Sequence, residues 1–336
     1  MPGTRVFVSG VAGFLGSHLA EALLDAGHRV VGCDNLVGGA RANVPRGVEF
    51  HECDLNDHAR LRPLVRGAEV VYHTAALAHE GLSLFSPHLV TTSIFGATVS
   101  LTSAAIAAGA RRFVFFSSMA RYGAGPVPFV EELPPRPVDP YGVAKVAAEQ
   151  AIATLCRTHA VEHVVVVPHN VIGPRQKYDD PYRNVVAIMM NLMLQGRQPV
   201  IYGDGKQRRC FSYVGDLRPM FEPLGFQANL DGEVINVGPD DEFVTINELA
   251  AILAELMGFD LDPVHLPARP GEVEEANCSA EKARRLLGYR TRYDLRGGLA
   301  LMLDWMRARG ARPFRYHLDL EIPSPLIPPT WADRLL

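Results

Sequence analysis

Residues 5–16, Arg-Val-Phe-Val-Ser-Gly-Val-Ala-Gly-Phe-Leu-Gly, constrain the fold of this chain more than any other stretch. Arg5 to Ser9 is apolar and β-branched, with no proline or glycine, and reads as a buried strand. Gly10, Gly13 and Gly16 follow in a G-x-x-G-x-x-G spacing, and residues 14–26 carry apolar side chains at helical intervals. A strand, a glycine turn and a helix bring backbone N–H groups and the positive helix end to one point, where a pyrophosphate can sit. A Cβ at such glycines would hold the phosphates off the backbone and the helix off the strand. The triplet by itself also fits an ordinary strand-to-helix turn.

The next unit narrows the choice. Residues 28–34 read as a second strand that ends in Asp34, close to the ~20-residue offset of a ribose-binding carboxylate. A carboxylate there accepts hydrogen bonds from a ribose 2′-hydroxyl and repels a 2′-phosphate. Asp34 therefore favours NAD over NADP, and its neighbour Asn35 offers the phosphate no charge. A third strand is expected over 48–53, followed by Asp54 and Leu55.

Strand and helix patterns alternate through the first half. Strands are expected over 69–73, 111–117 and 162–167, and helices over 87–108 and 143–159. That alternation predicts an α/β fold: a Rossmann-type, doubly wound parallel sheet, with binding at the carboxyl ends of its strands. After Pro168 prolines, glycines and arginines become frequent. Short strands are expected over 199–202, 210–214 and 233–237, among helices at 182–195, 246–257, 280–287 and 295–309. The expected division is a nucleotide domain over 1–168, to which segments near 210–240 return, and a smaller α+β substrate lobe over 169–313. The tail, 314–336, is too apolar to be free and is expected to lie extended across the surface or a neighbouring subunit.

Composition sets outer bounds. The net charge of −4 gives no electrostatic reason to expect nucleic acid or an anionic membrane. No stretch is read as approaching the ~20 apolar residues of a membrane span, and no signal peptide is expected. Five scattered cysteines without a C-x-x-C pair read as reduced thiols, which suits a cytoplasmic protein. The histidines show no metal-ligand spacing, so no metal is expected.

The second informative motif is Tyr141-Gly-Val-Ala-Lys145, just after Pro140 at the start of a helix. Tyr141 and Lys145 lie one turn apart on one face. A phenol titrates near ~10 in water, and an adjacent ammonium together with a positive nicotinamide is expected to lower that value toward use as a base. Lys145 can also bond the nicotinamide ribose. Ser118, at the end of the strand 113–118, is the natural third member, able to bond the oxygen whose proton Tyr141 moves.

Gly10 to Gly16, Asp34-Asn35-Leu36, Ser117-Ser118 with Tyr122-Gly123, and Tyr141 to Lys145 together resemble the extended short-chain dehydrogenase/reductase family, specifically its nucleotide-sugar epimerases and dehydratases. The similarity continues through 169–174, 202–216, 269–272 and 280–289, covering roughly residues 5–305. It implies a cofactor site formed by Gly10, Gly13, Phe14, Leu15, Gly16, Asp34, Asn35, Asp54, Leu55, Ala75, Ala76, Ser117, Tyr141, Lys145 and Pro168. It also implies a nucleoside-diphosphate sugar in the second lobe. Asn170, Asn184 and the Val185 backbone would bond the diphosphate and adjacent groups, Tyr202 and Phe211 flank the base, Arg209 and Arg269 hold the phosphates, and Glu272 reach the ribose; Ser118 and Tyr141 would meet the sugar. A homodimer is implied through the helices 87–108 and 143–159.

The resemblance has departures. Ser93 stands where the family usually has Asn, Ala97 where it has Thr, and Cys210 where it has Asp. Arg121 replaces an apolar residue and is expected to pair with Glu131 or Glu132 rather than to read a substrate carboxylate. Enzymes of this type begin by oxidising a sugar hydroxyl. The two residues after the catalytic serine decide much of the later chemistry, and here they are Met119 and Ala120, neither able to move a proton. Oxidation, rotation of the keto-sugar and hydride return remain, which is 4-epimerisation of a UDP-hexose or UDP-hexuronate. Three other readings stay open: a 4,6-dehydratase or decarboxylase with a carboxylate from elsewhere in the pocket, a net dehydrogenase or reductase, and a non-catalytic NAD-binding regulator.

Overall fold

The computed structural model describes residues 3–336. Its central sheet has seven parallel strands: β1 (Arg5–Ser9), β2 (Arg29–Asp34), β3 (Glu49–Glu52), β4 (Val70–His73), β5 (Arg112–Phe116), β6 (Glu162–Pro168) and β7 (Glu233–Val237). They lie in the order β7-β6-β5-β4-β1-β2-β3. β1 is flanked by β2 and β4, with Val6 opposite both Val30 and Val70. The chain leaves β1 toward β3 and then crosses back to β4, so a crevice opens beyond the carboxyl ends of β1 and β4.

Helices cover both faces, which explains why the strands are apolar at nearly every position. Phe7, Val31, Phe113 and Phe115 pack on one side against Leu101, Ala105, Ala148 and Ile152. Val6, Val8, Val30 and Val114 pack on the other against Leu19, Leu23, Phe221 and Leu224. Burying each of the Val, Leu, Ile and Phe side chains is worth about 1.5–3 kcal/mol.

Element edges moved where a capping residue decided them. The helix expected over 143–159 runs Pro140–Thr158, because the Asp139 carboxylate accepts the Gly142 N–H at 2.7 Å and proline suits a first helical position. The helix expected from 182 begins at Val185, with the Asn184 side chain accepting the Val186 N–H at 2.9 Å. The helix His58–Val65 escaped sequence reading, since Pro63 and few apolar residues hide its period. The strand expected over 210–214 is only Ser212–Tyr213, next to the short strand Arg208–Arg209.

The second half builds its own core from Ile172, Val186, Met190, Leu249, Leu253, Leu299 and Met302. β7 belongs to this half in sequence yet pairs with β6, Ile235 opposite Val166. The tail is docked on its own chain. Leu318 and Trp331 join Leu82, Phe85 and Tyr182 in a small apolar cluster. The Glu321 carboxylate accepts the His88 and Leu89 N–H groups at 2.9 and 2.8 Å, at the start of the helix Pro87–Ala107.

That helix corrects one expectation. It has 21 residues with a mean hydropathy of 1.5, so by length and composition it could cross a membrane. In the fold Ala97, Leu101, Ala104 and Ala105 are buried against the sheet, a sufficient reason for the apolar run. A π-turn at Thr92–Gly96 interrupts it beside the crevice.

Candidate active site

The turn between β1 and the helix Phe14–Asp25 is closed by contact between backbones. Gly10 has φ +72°, and a Cβ on it would sit 2.8 Å from the Ala75 backbone nitrogen. A Cβ on Gly16 would lie 2.1 Å from the Gly10 carbonyl oxygen. Strand and helix approach this closely only because both positions are glycine. No side chain caps the helix at Gly13 and its first turn holds no acid, so its free N–H groups and positive end face the crevice.

At the end of β2 the buried Asp34 carboxylate accepts the Ala12 N–H at 3.1 Å and the Leu36 N–H at 2.7 Å. Burial pushes the Asp34 carboxyl up, while those bonds and Arg183 pull against it. Beside it, Asn35 donates to Asp54 at 2.7 Å. Burial opposes ionisation of Asp54, but the Asn35 and Asn56 bonds outweigh it and its carboxyl is held low.

Beyond β5, the Ser118 side chain accepts the Ala120 N–H at 3.2 Å and is close enough to Tyr141 to favour its phenolate. Lys145 Nζ donates to the Phe116 carbonyl at 2.8 Å and lies 5.8 Å from the centre of the Tyr141 ring. The expected electrostatics are only half present. Burial lowers the Lys145 ammonium to about 7, despite the nearby Glu149 carboxylate. Burial, followed by the Glu80 carboxylate, pushes the Tyr141 phenol well above its ordinary value, and Ser118 and Arg183 recover only part of that rise. In the protein alone Tyr141 is therefore a neutral phenol. Its use as a base requires positive charge to be brought into the cleft.

All the site positions named from the sequence line one cavity of about 720 Å³. Gly10, Gly13, Phe14, Leu15, Gly16, Asp34, Asn35, Asp54 and Leu55 line one part, with Ala75, Ala76, Ser117 and Pro168 along the sheet edge. Asn170, Asn184, Val185, Tyr202, Arg209, Phe211, Arg269 and Glu272 line the part contributed by the second half of the chain. Some of these are already engaged. Arg209 donates to the carbonyls of Val273 at 2.6 Å and Glu274 at 3.2 Å. Arg269 pairs with Glu272 at 3.1 Å and lies 4.8 Å from the centre of the Tyr202 ring. Asn170 donates to the Cys210 carbonyl at 2.9 Å.

Arg121 is a structural residue, as expected, but its partner differs. It pairs with Glu149 at 3.0 Å and donates to the Tyr122 hydroxyl at 3.0 Å. Glu131 instead accepts the Asn236 backbone N–H, and Glu132 faces Lys282. Glu149 also accepts a hydrogen bond from Ser117, and so ties the strand end to the helix carrying Tyr141. Cys210, where the family has an acid, is buried with Sγ 3.1 Å from His169 Nδ1.

Sequence reasoning missed several parts of the lining, among them Glu80, Arg183 and the tail residues Glu321, Thr330, Trp331 and Leu336. Thr330 meets the Tyr202 hydroxyl, and Trp331 Nε1 donates to the Pro181 carbonyl at 3.0 Å. No motif announces them, because they reach the cleft only through the path of the folded chain.

The model of the NAD dependent epimerase/dehydratase family matches residues 6–238. The chain belongs to that family. Its cofactor is NAD. A UDP-glucose 4-epimerase from Mycolicibacterium smegmatis is 34% identical over 314 residues, covering 90% of this chain and 98% of that protein. A UDP-N-acetyl-alpha-D-glucosaminuronate decarboxylase from Bacillus cytotoxicus is 29% identical, covering 90% and 98%. Among solved structures, a UDP-glucuronic acid 4-epimerase from Bacillus cereus, in complex with UDP-glucuronic acid and NAD, is 28% identical with a TM-score of 0.84, covering 91% of this chain and 100% of that one. The family's enzymes among these relatives act on nucleotide sugars. The uncapped helix end at Gly13, the close glycine turn and the Asp34 carboxylate fit NAD, and the family's cofactor would lie along them.

Proposed function

We propose that the chain is a 4-epimerase of a UDP-hexose or UDP-hexuronate. The observation that carries this reading is the triad Ser118, Tyr141 and Lys145 at the sheet edge, followed by Met119 and Ala120, where no acid stands. When bound along the glycine turn and Asp34, NAD would supply the acceptor and later the donor of the hydride at the sugar carbon. Tyr141 takes the hydroxyl proton and gives it back, and Ser118 orients the shared oxygen. Lys145 supplies charge beside the phenol and a donor for a ribose. Arg209 and Arg269 offer guanidinium forks to a diphosphate.

A second reading has one observation behind it. Elimination or decarboxylation needs a further acid-base group, and Glu80 places a carboxyl in the same cavity. Incubation with UDP-, GDP- and dTDP-hexoses and with UDP-glucuronate separates these readings. The C4 epimer is expected. A 4-keto-6-deoxy sugar or a pentose as product would overturn the epimerase reading in favour of the second.

Two further expectations belong to this reading. An epimerase regains its oxidised cofactor in every cycle, so the purified protein should retain NAD. Acid denaturation followed by chromatography of the supernatant should release NAD(H); NADP(H) there would contradict the role given to Asp34. The protein should also be a homodimer. Phe95 and Val143 are exposed at 41% and 52%, on the two helices Pro87–Ala107 and Pro140–Thr158 that pack together. Two copies of that pair would form a four-helix contact. A monomer by sedimentation at micromolar concentration would rule it out.

A further inference from the structure

Epimerisation by the triad leaves one carboxyl of the cleft without a role. Glu80 opens the short helix Glu80–Ser83, soon after β4, and lines the cavity. Its main chain is fixed: Ser83 Oγ donates to the Glu80 carbonyl at 2.6 Å, and the Trp331 ring packs so close to Gly81 that a Cβ there would lie 3.2 Å from it. Its carboxylate, by contrast, accepts no hydrogen bond and joins no ion pair among the described residues. An acceptor held in a cleft without a donor is fitted to receive donors from a ligand.

Its electrostatic neighbours say where in the cleft it stands. Glu80 acts on Tyr141 and is acted on by Asp139, Arg209, Arg269 and Glu272. It shares one cavity with the phenol that meets the reacting hydroxyl and with the guanidinium pair suited to a diphosphate. A sugar joined to a nucleoside diphosphate must occupy that same cavity. Arg183, a further cation of the lining, has its Nε 3.7 Å from Asp180 and its far end against Gly38, and it also acts on Tyr141.

Resting on the nucleotide-sugar reading of this cleft, we propose that Glu80 selects the sugar, accepting hydrogen bonds from the hydroxyls of an uncharged hexose and repelling a hexuronate. A carboxylate can only accept, and bonds from hydroxyls to an ion are among the stronger neutral-to-charged contacts. A second carboxylate on the sugar, sharing this cavity with Glu80, would meet a like charge, and like charges brought together repel. The protein atoms crowded around it, aided by Asp139, push the Glu80 carboxyl up to about 7, so the preference is to be measured at about pH 8.5, where the group is ionised.

The test uses the full chain with its bound NAD, comparing UDP-glucose and UDP-glucuronate for the wild type and Glu80→Gln. Turnover and calorimetric binding are both measured, and NAD content reports on the fold. The wild type is expected to prefer UDP-glucose. Glu80→Gln should narrow the glucose-to-glucuronate preference by about tenfold or more, mainly through KM and binding rather than kcat. An unchanged preference in Glu80→Gln, or a wild type that prefers UDP-glucuronate, overturns the proposal while epimer formation keeps the function. Glu80-dependent preference in binding without epimer formation does the reverse. A fall in kcat alone, with an eliminated or decarboxylated product, makes Glu80 a proton-transfer group and overturns both, as does the absence of both binding and product.

Discussion

Tyr141→Phe should abolish turnover while leaving NAD content and stability nearly unchanged. The substitution deletes one oxygen from a buried ring and keeps its packing among Val90, Ile94 and Ala144. A positioned acid-base group contributes typically ~10²–10⁴-fold, and here the same oxygen is needed when the proton leaves and when it returns. Because burial and Glu80 hold the phenol protonated in the protein alone, the hydroxyl is a donor at rest. The variant loses that donor as well as the base. Ser118→Ala should cost less, since the hydroxyl orients the transferred proton without keeping it. Lys145→Ala should lower both rate and NAD retention. The measurement is rate against NAD content for the three proteins. Near-full activity in Tyr141→Phe would place the base elsewhere and sink the assignment.

Gly16→Ala should lose at least about nine-tenths of the bound NAD and destabilise the fold by about 1–3 kcal/mol or more. The added carbon would fall 2.1 Å from the Gly10 oxygen and 2.7 Å from Thr74 Oγ1. Neither can retreat freely. The Gly10 carbonyl accepts the Gly13 N–H at 2.9 Å, and the Thr74 hydroxyl donates to the Ser9 carbonyl at 2.6 Å. The helix must therefore move off the strand, and with it the N–H groups that meet the pyrophosphate. Gly109→Ala is the comparison. It has φ +74° but nothing within 4 Å of the added Cβ, so it should cost about 1–2 kcal/mol of backbone strain and keep its NAD. Denaturant midpoints and NAD content, measured on both, separate the two effects. Equal NAD content in Gly16→Ala and wild type would show that the turn tolerates a side chain and that the cofactor does not depend on it.

The cofactor end of the cleft was legible in the sequence because its chemistry is local. Three glycines, the strand before them and the helix after them fall within 21 residues, Arg5 to Asp25, and the backbone alone sets their relation. Asp34 ends the adjacent strand, Ser118 comes just after β5, and Tyr141 and Lys145 share one helical turn. A strand–helix alternation then places all of these at one sheet edge, since parallel strands present their carboxyl ends together.

The protonation of those groups was not legible. Sequence spacing puts Lys145 near Tyr141, but whether proximity or burial governs the phenol depends on how much of the molecule closes over it. Here burial wins for both residues. The partner of Arg121 was set in the same way. Glu131 and Glu132 are near in sequence, but Glu149, one side of a helix that begins at Pro140, is the acid the fold turns toward it. Glu80, Thr330 and Trp331 share no motif, and Glu80 is separated from the other two by about three-quarters of the chain. They meet because the tail is drawn onto the helix Glu80–Ser83 by Leu318, Trp331 and the Glu321 cap on the Pro87–Ala107 helix. The sequence by itself determined which dinucleotide end and which triad the chain carries, through contacts between near neighbours. Only the tertiary structure decided what lines the rest of the cleft, because that depends on long-range packing that no local pattern records.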